Sequence, residues 1–416
     1  MLEISRKVQD IPSALSVYFN QLIYDLKRRQ RDIISLSLGE SFFNIPPFDF
    51  GKLDFNKGYH YSDSQGLPEL REKIAKFYHE TYKAPAITSN DILISAGSKI
   101  IIFMCMQALL NPGDEVLIHE PAWLSYQEQA RLVGGEVRFI PFLEKTSDFQ
   151  KYFTSKTRIL ILNNPNNPSG VVYSEHELRA LYHECYKHGV CLFVDEAYSD
   201  FVLDDSFCSM TTVAPDLKGI IVVNSLSKNM GMSGWRVGYA ISEPRIIQAL
   251  LKLNQHLITC APTILQQYLV EYFDDILAHT LVQVKEVVAK RKRIETQMKN
   301  TGLDYLPGSS TFYFFVKTGA YQGSIHDLAL YLLLEKGVAL VPGSAYGATT
   351  DKFLRLSIGT ESEERIENGL RILKNVLSGP PIDSAYIHAE LARLKLPVFQ
   401  ENMIPQAEAL LDEVLV

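Results

Sequence analysis

No stretch of this 416-residue chain approaches the ~18 consecutive apolar residues of a membrane-spanning helix. The opening MLEISRKVQDIPSALSVYF has neither a long apolar centre nor a small-residue cleavage site, so no secretory signal is expected there. Cysteine is scarce. Five are scattered (Cys105, Cys185, Cys191, Cys208, Cys260), the number is odd, and none forms a C-x-x-C pair. Reduced core thiols in a cytoplasmic protein fit that usage better than a disulfide framework. The ten histidines show no metal-ligand spacing, so no metal site is expected. Positive charge is not in excess. A net charge of −7, spread along the chain, argues against a general nucleic-acid surface, and the one basic run, KRKR at 290–293, reads as the solvated face of a long helix. Internal repeats and low-complexity tracts are also missing.

What remains is an ordinary globular composition, 46% hydrophobic and 21% charged, long enough for two domains with sizeable cores. One stretch stands out, NSLSKNMGMSGWRVGY at 224–239. The apolar run from Gly219 to Val223 reads as a buried strand, which places Lys228 at that strand's end in a loop of small polar residues and glycines. Ligands of open α/β sheets bind at the carboxyl ends of strands. Ser225 and Ser227 can donate to a ligand's oxygens, and Arg236 follows Lys228 by eight residues. A buried lysine amine can react with a carbonyl, and a guanidinium fork binds phosphate. The pair suits an aldehyde cofactor that carries a phosphate, pyridoxal 5′-phosphate.

Other segments carry chemistry of their own. DILISAGSKIIIFM, beginning at residue 91, reads as a strand, a tight turn at Gly97 and Ser98, and an apolar helix whose free N–H groups favour an anion. Lys99 sits at that helix start, where a cation is unfavourable. It either points outward to water or faces an anion, the phosphate or a second carboxylate. RILILNNPNNPSG at 158–170 is a buried strand running into a loop that four asparagines and two prolines force to turn. Ser174 with Glu177 three residues later is a capping box opening the next helix. VCLFVDEAYSDF at 190–201 is a strand that ends in Asp195, a carboxylate in need of a partner such as a protonated ring nitrogen. FLRLSIG at 353–359 carries one inward charge, Arg355. It needs an anion, either a bound carboxylate or a structural ion pair.

These segments, in this order, resemble the class I and II aminotransferases of fold type I, the family of aspartate aminotransferase. The resemblance runs from about residue 30 to 378. It rests on S-x-S-K followed by G-W-R-x-G-Y, on N-P-S-G, on V-D-E-A-Y and on the arginine strand. It implies an α/β fold: a three-layer large domain with a mostly parallel seven-stranded sheet, plus a smaller α+β domain. It also implies that Lys228 binds the cofactor covalently, that Asp195 pairs with the ring nitrogen, and that Asn167 and Tyr198 reach the ring oxygen. Gly97, Ser98, Ser225, Ser227 and Arg236 would hold the phosphate, Trp123 would stack on the ring, and Gly39 would lie over the substrate carboxylate. Ser41 stands where relatives carry proline, which leaves the shape of that loop open. Tyr61, with Tyr59 as competitor, would reach the phosphate of a neighbouring subunit, so a homodimer with shared sites is implied. Arg355 would grip the α-carboxylate. Lys99 matches a lysine that pairs with the distal carboxylate in some bacterial aspartate aminotransferases.

The expected division is an N-terminal arm with part of the small domain at 1–45, a large cofactor-binding domain at 46–275, a small domain at 276–379 and an extension at 380–416. The extension carries two amphipathic pieces, around 384–395 and 404–415, that pack on the body or dock a partner. The expected function is transfer of an amino group between an L-amino acid, aspartate or glutamate, and a 2-oxo acid by a ping-pong route. The alternatives are elimination, replacement or cyclisation on the same cofactor, and a non-catalytic sensor. The sensor would carry a winged-helix domain, for which only about 30 residues precede the match.

Overall fold

The computed structural model describes residues 5–84, 87–204 and 206–399. A short strand, β1 (Ile34–Ser35), comes first. Then β2 (Ile92–Ser95), β3 (Glu115–His119), β4 (Glu136–Ile140), β5 (Thr157–Asn163), β6 (Cys191–Asp195), β7 (Ile220–Ser225) and β8 (Gly238–Ser242) form one seven-stranded sheet in the order β2-β8-β7-β6-β5-β3-β4. All neighbours are parallel except β8, which runs against both β7 and β2. The connections explain this. Parallel neighbours need a crossover, which helices such as Ser125–Leu132 and Glu175–Lys187 supply. Between β7 and β8 there is only the loop 226–237 with a single 3₁₀ turn, so the chain doubles back. That loop carries Lys228 and Arg236.

β5, β6 and β7 read as near-continuous apolar runs because both faces of the sheet are covered. Leu160, Leu192 and Val222 pack into one core, Ile161, Phe193 and Val223 into the other. The capping box forms as expected: the Glu177 N–H donates to Ser174 Oγ, and the Ser174 N–H donates to Glu177 Oε2.

A second, smaller body follows β9 (Tyr313–Lys317), β10 (Val338–Ala339), β11 (Val341–Pro342) and β12 (Phe353–Ser357). Its antiparallel sheet has the order β11-β12-β9, and β1 pairs in parallel with β10. The core of this body takes Phe19 and Leu22 from helix Leu15–Arg28, Leu332 from helix Ile325–Lys336 and Leu370 from helix Glu363–Leu377. Two helices follow the large sheet, Pro244–Leu257 and Thr263–Thr301. The second serves both bodies: Leu269 and Phe273 pack under the large sheet, Val284 and Ile294 in the smaller core. The expected boundary at 275 therefore falls inside one continuous helix. In the extension, helix Ser384–Arg393 packs on the body through Ile387 and Leu391. The second expected piece, 404–415, lies outside the described residues.

Candidate active site

A cavity of about 520 Å³ opens where β5, β6 and β7 end, and their last residues, Asn163, Asp195 and Ser225, line it. Gly39, Tyr313 and Arg355 face them from across the opening. Four cationic side chains line the cavity (Lys99, Lys228, Arg236, Arg355) against two carboxylates, Glu40 and Asp195. The balance favours an anionic ligand.

The anion cradle is built from close backbone approaches. Gly97 has φ +89°, and a Cβ there would lie 2.4 Å from Arg236 Nη2. A Cβ on Gly238 would lie 2.4 Å from the Ser98 amide nitrogen. Only glycine lets the arginine and the helix start converge this tightly. Arg236 itself is left-handed (φ +56°) and donates through Nη1 to Ser233 O at 2.6 Å. Ser225 Oγ donates to Ser227 Oγ at 2.8 Å beside them.

Asp195 is buried at the end of β6. Burial pushes its carboxyl above the ordinary range, while three neighbours pull it back: the hydroxyl of Tyr126, which donates to Oδ2 at 2.6 Å, the Ala197 N–H, which donates to Oδ1 at 3.0 Å, and the charge of Lys228. Lys228 Nζ donates to Gly39 O at 2.6 Å and lies 5.7 Å from the Tyr198 ring centre. Its pKa is lowered to about 8, first by burial and then by Arg355 and Arg236, with Glu40 and Asp195 acting the other way. An amine with that pKa is available as a nucleophile and base near neutral pH. Tyr198 shares a 2.9 Å hydrogen bond with Tyr313, hydroxyl to hydroxyl.

Arg355 is buried in β12. It donates to Ser37 O at 2.6 Å and to Asn167 Oδ1 at 3.4 Å, and its guanidinium lies 4.8 Å from the Tyr313 ring centre. Its Nε has no partner, and no carboxylate pairs with it among the described residues. The structural ion pair that the sequence left open is thus not found there. Lys99 lines the cavity while remaining exposed to solvent, with Nζ 5.1 Å from the Trp123 ring centre. Burial, then Arg236, lowers its pKa.

Nearly all residues singled out from sequence are brought together. Gly39, Ser98, Lys99, Trp123 and Asn167 line the cavity, as do Asp195, Tyr198, Ser225, Ser227 and Lys228, and with them Arg236 and Arg355. Gly97 sits behind Arg236. Tyr61 does not line its own chain's cavity and is 84% exposed. Sequence reasoning passed over Tyr126, Tyr313, Glu40 and Asn20. Tyr126 stands three residues after Trp123, but nothing local marks a tyrosine as the partner of a distant carboxylate.

The family model "Aminotransferase class I and II" matches residues 39–373. This chain belongs to that family. The aminotransferase is 32% identical over 384 residues to an aspartate aminotransferase of Thermotoga maritima, covering 90% of this chain and 99% of the relative. It is 33% identical over 361 residues to a (5-formylfuran-3-yl)methyl phosphate transaminase of Methanocaldococcus jannaschii, covering 86% and 95%. Among solved structures, the aspartate aminotransferase from Thermus thermophilus with maleate superposes with a TM-score of 0.83 at 28% identity, covering 90% of this chain and all of that one. Fold type I and dependence on pyridoxal 5′-phosphate come with the family. The cavity suits that cofactor on its own terms: an anion cradle, a buried carboxylate and a half-buried amine of lowered pKa converge in one space large enough to hold it.

Proposed function

We propose that this aminotransferase takes a dicarboxylic amino acid, aspartate or glutamate, as donor and a 2-oxo acid as acceptor. The observation that carries the substrate class is that two cations without a carboxylate partner among the described residues, Arg355 and Lys99, line the same cavity. Arg355 would grip the α-carboxylate with its fork, Lys99 the distal one. Gly39 and Asn167 would flank the α-carboxylate, and Trp123 would lie against the cofactor ring. Ser98, Ser225, Ser227 and Arg236, with the turn at Gly97, would hold the cofactor phosphate. Asp195 would keep the ring nitrogen protonated, and Asn167 and Tyr198 would hydrogen-bond the ring oxygen. The cofactor supplies an electron sink when bound. Lys228 Nζ would take the proton from the donor's Cα and hold it for return later in the exchange, its pKa of about 8 lying near that of the medium.

We further propose a homodimer in which Tyr61 reaches the partner's phosphate site, in keeping with its exposure outside its own cavity; a fully active monomer in solution would contradict this. A cytoplasmic location is proposed on cysteine usage: all five thiols are free, and no described helix is long and apolar enough to cross a membrane.

The test of substrate class is Lys99→Ala assayed against a panel of donors. Dicarboxylic donors should lose about 2–5 kcal/mol in kcat/KM, while alanine and aromatic donors change far less. Equal losses on both classes, or a parent enzyme inactive with dicarboxylates, would remove the proposal.

A further inference from the structure

The chain continues beyond the stretch that the family model matches. The family match ends at residue 373, and the Thermus thermophilus structure is covered in full by 90% of this chain. Beyond helix Glu363–Leu377 the segment through Pro380 and Pro381 leads into helix Ser384–Arg393 and then an irregular stretch to Phe399.

This segment is anchored twice. The first anchor is the small body. Ile387 and Leu391 are buried against it, Ser384 Oγ donates to Asp327 Oδ2 at 2.5 Å, and the Ile382 N–H donates to the Tyr321 hydroxyl at 2.9 Å. Asp327 belongs to helix Ile325–Lys336. The second anchor is helix Leu15–Arg28. Tyr18 donates its hydroxyl to Pro397 O at 2.9 Å, Arg29 Nη1 donates to Leu394 O at 2.6 Å, and the Phe399 ring centre lies 5.2 Å from that of Tyr18.

Helix Leu15–Arg28 is also a wall of the active-site cavity. Ser16 and Asn20, on either side of Tyr18 in sequence, line it. The Asn20 amide oxygen is buried with no hydrogen-bond partner among the described residues, so it is available to a bound molecule. The start of this helix carries no side-chain cap. Its position therefore depends on what packs against it: Phe19 and Leu22 in the small-body core, and Tyr18 against Pro397 and Phe399 of the extension.

We propose that residues 380–399 form a positioning brace, which clamps helix Leu15–Arg28 to the small body and so fixes Ser16 and Asn20 as the wall that meets the side chain of the amino donor. The brace rests on the reading of this cavity as the amino-acid site. It touches none of the groups assigned to the cofactor. Releasing it should loosen substrate binding and leave the cofactor undisturbed.

The experiment uses full-length holoenzyme carrying Ile387→Asp and Leu391→Asp together, with Tyr18→Phe as a milder companion. Amide hydrogen exchange over residues 15–28 is measured without substrate, then KM and kcat across a donor panel, and the visible absorption of the bound cofactor. The brace predicts exchange over 15–28 faster by roughly tenfold and KM raised about fivefold or more, with kcat and the cofactor spectrum held. Tyr18→Phe should show the same pattern at smaller size. Unchanged exchange and KM would overturn the proposal, as would a fall in kcat accompanied by loss of the cofactor spectrum. Should the double variant fail to fold, Tyr18→Phe decides alone by the same criteria. Exchange is read without substrate, so faster exchange supports the brace even if the donor proves not to be dicarboxylic, and unchanged exchange removes it whatever the donor.

Discussion

The sheet side of the cavity takes Asn163, Asp195 and Ser225 from the ends of three adjacent parallel strands, each locked by ladder hydrogen bonds to its neighbours. The facing side takes Asn20, Gly39, Tyr313 and Arg355 from a helix, a strap without regular structure, and two strands of another sheet. Tyr313 and Arg355 are held within their own sheet by the β9–β12 ladder, but the strap is joined to that sheet and to the loop 226–237 only by isolated hydrogen bonds: Arg355 to Ser37 O, Lys228 to Gly39 O, and Ser233 Oγ to Glu40 Oε1 at 2.5 Å. A wall fixed by a ladder suits a cofactor that stays. A wall joined by single bonds can shift when a substrate enters, because each bond contributes only about 0.5–1.5 kcal/mol net. Changes on the sheet side should therefore disturb cofactor and chemistry together, and changes on the facing side should disturb substrate selection with the cofactor intact.

The largest expected effect tests the sheet side. Lys228→Ala should lower kcat by about 10²–10⁴-fold or more, the range for losing a proton-transfer group, and should abolish borohydride-fixed label on the chain. Label retained on another lysine would break the assignment. Next comes the facing side. Arg355→Ala should cost about 2–5 kcal/mol in kcat/KM for every amino-acid donor with the cofactor spectrum unchanged. A loss of cofactor from this variant would erase the proposed contrast between the walls. The smallest effect sharpens it. Tyr126→Phe removes a donor to Asp195 Oδ2 and should cost about 1.5–3 kcal/mol or less in kcat. With that hydrogen bond gone the carboxylate is less stabilised and its pKa rises further, so the acid limb of the kcat profile should move to higher pH. A limb that stays in place would mean that Tyr126 does not tune Asp195.

Much of the sheet side was legible in the sequence, because polar residues ending apolar runs mark where buried strands emerge. The runs RILIL, CLFV and IIVV appear as β5, β6 and β7, and Asp195 and Lys228 lie where the runs stop. Local signals with a fixed spacing also carried over, such as the Ser174–Glu177 capping box and the glycine at 97 that a left-handed turn requires. The antiparallel course of β8 was not read in advance, although the lack of a crossover helix in 226–237 accounts for it.

The facing side needed the tertiary structure. In STFYFFVKT nothing separates Tyr313 from the phenylalanines around it. Only the pairing of β9 with β12, which sets Arg355 opposite Phe315, puts Tyr313 on the same face as the arginine, since residues two apart share a face. Asn20 looks like any polar residue on an amphipathic helix until that helix is laid against the cavity. The packing of helix Ser384–Arg393 is of the same kind, because a short amphipathic helix shows that it has a face to bury and not what it buries it against. Sequence thus determined the elements and the chemistry at their ends, which depend on local periodicity and on residue type. The tertiary structure decided which distant side chains meet, because contacts across the cavity are set by sheet register and helix packing and leave no trace in neighbouring residues.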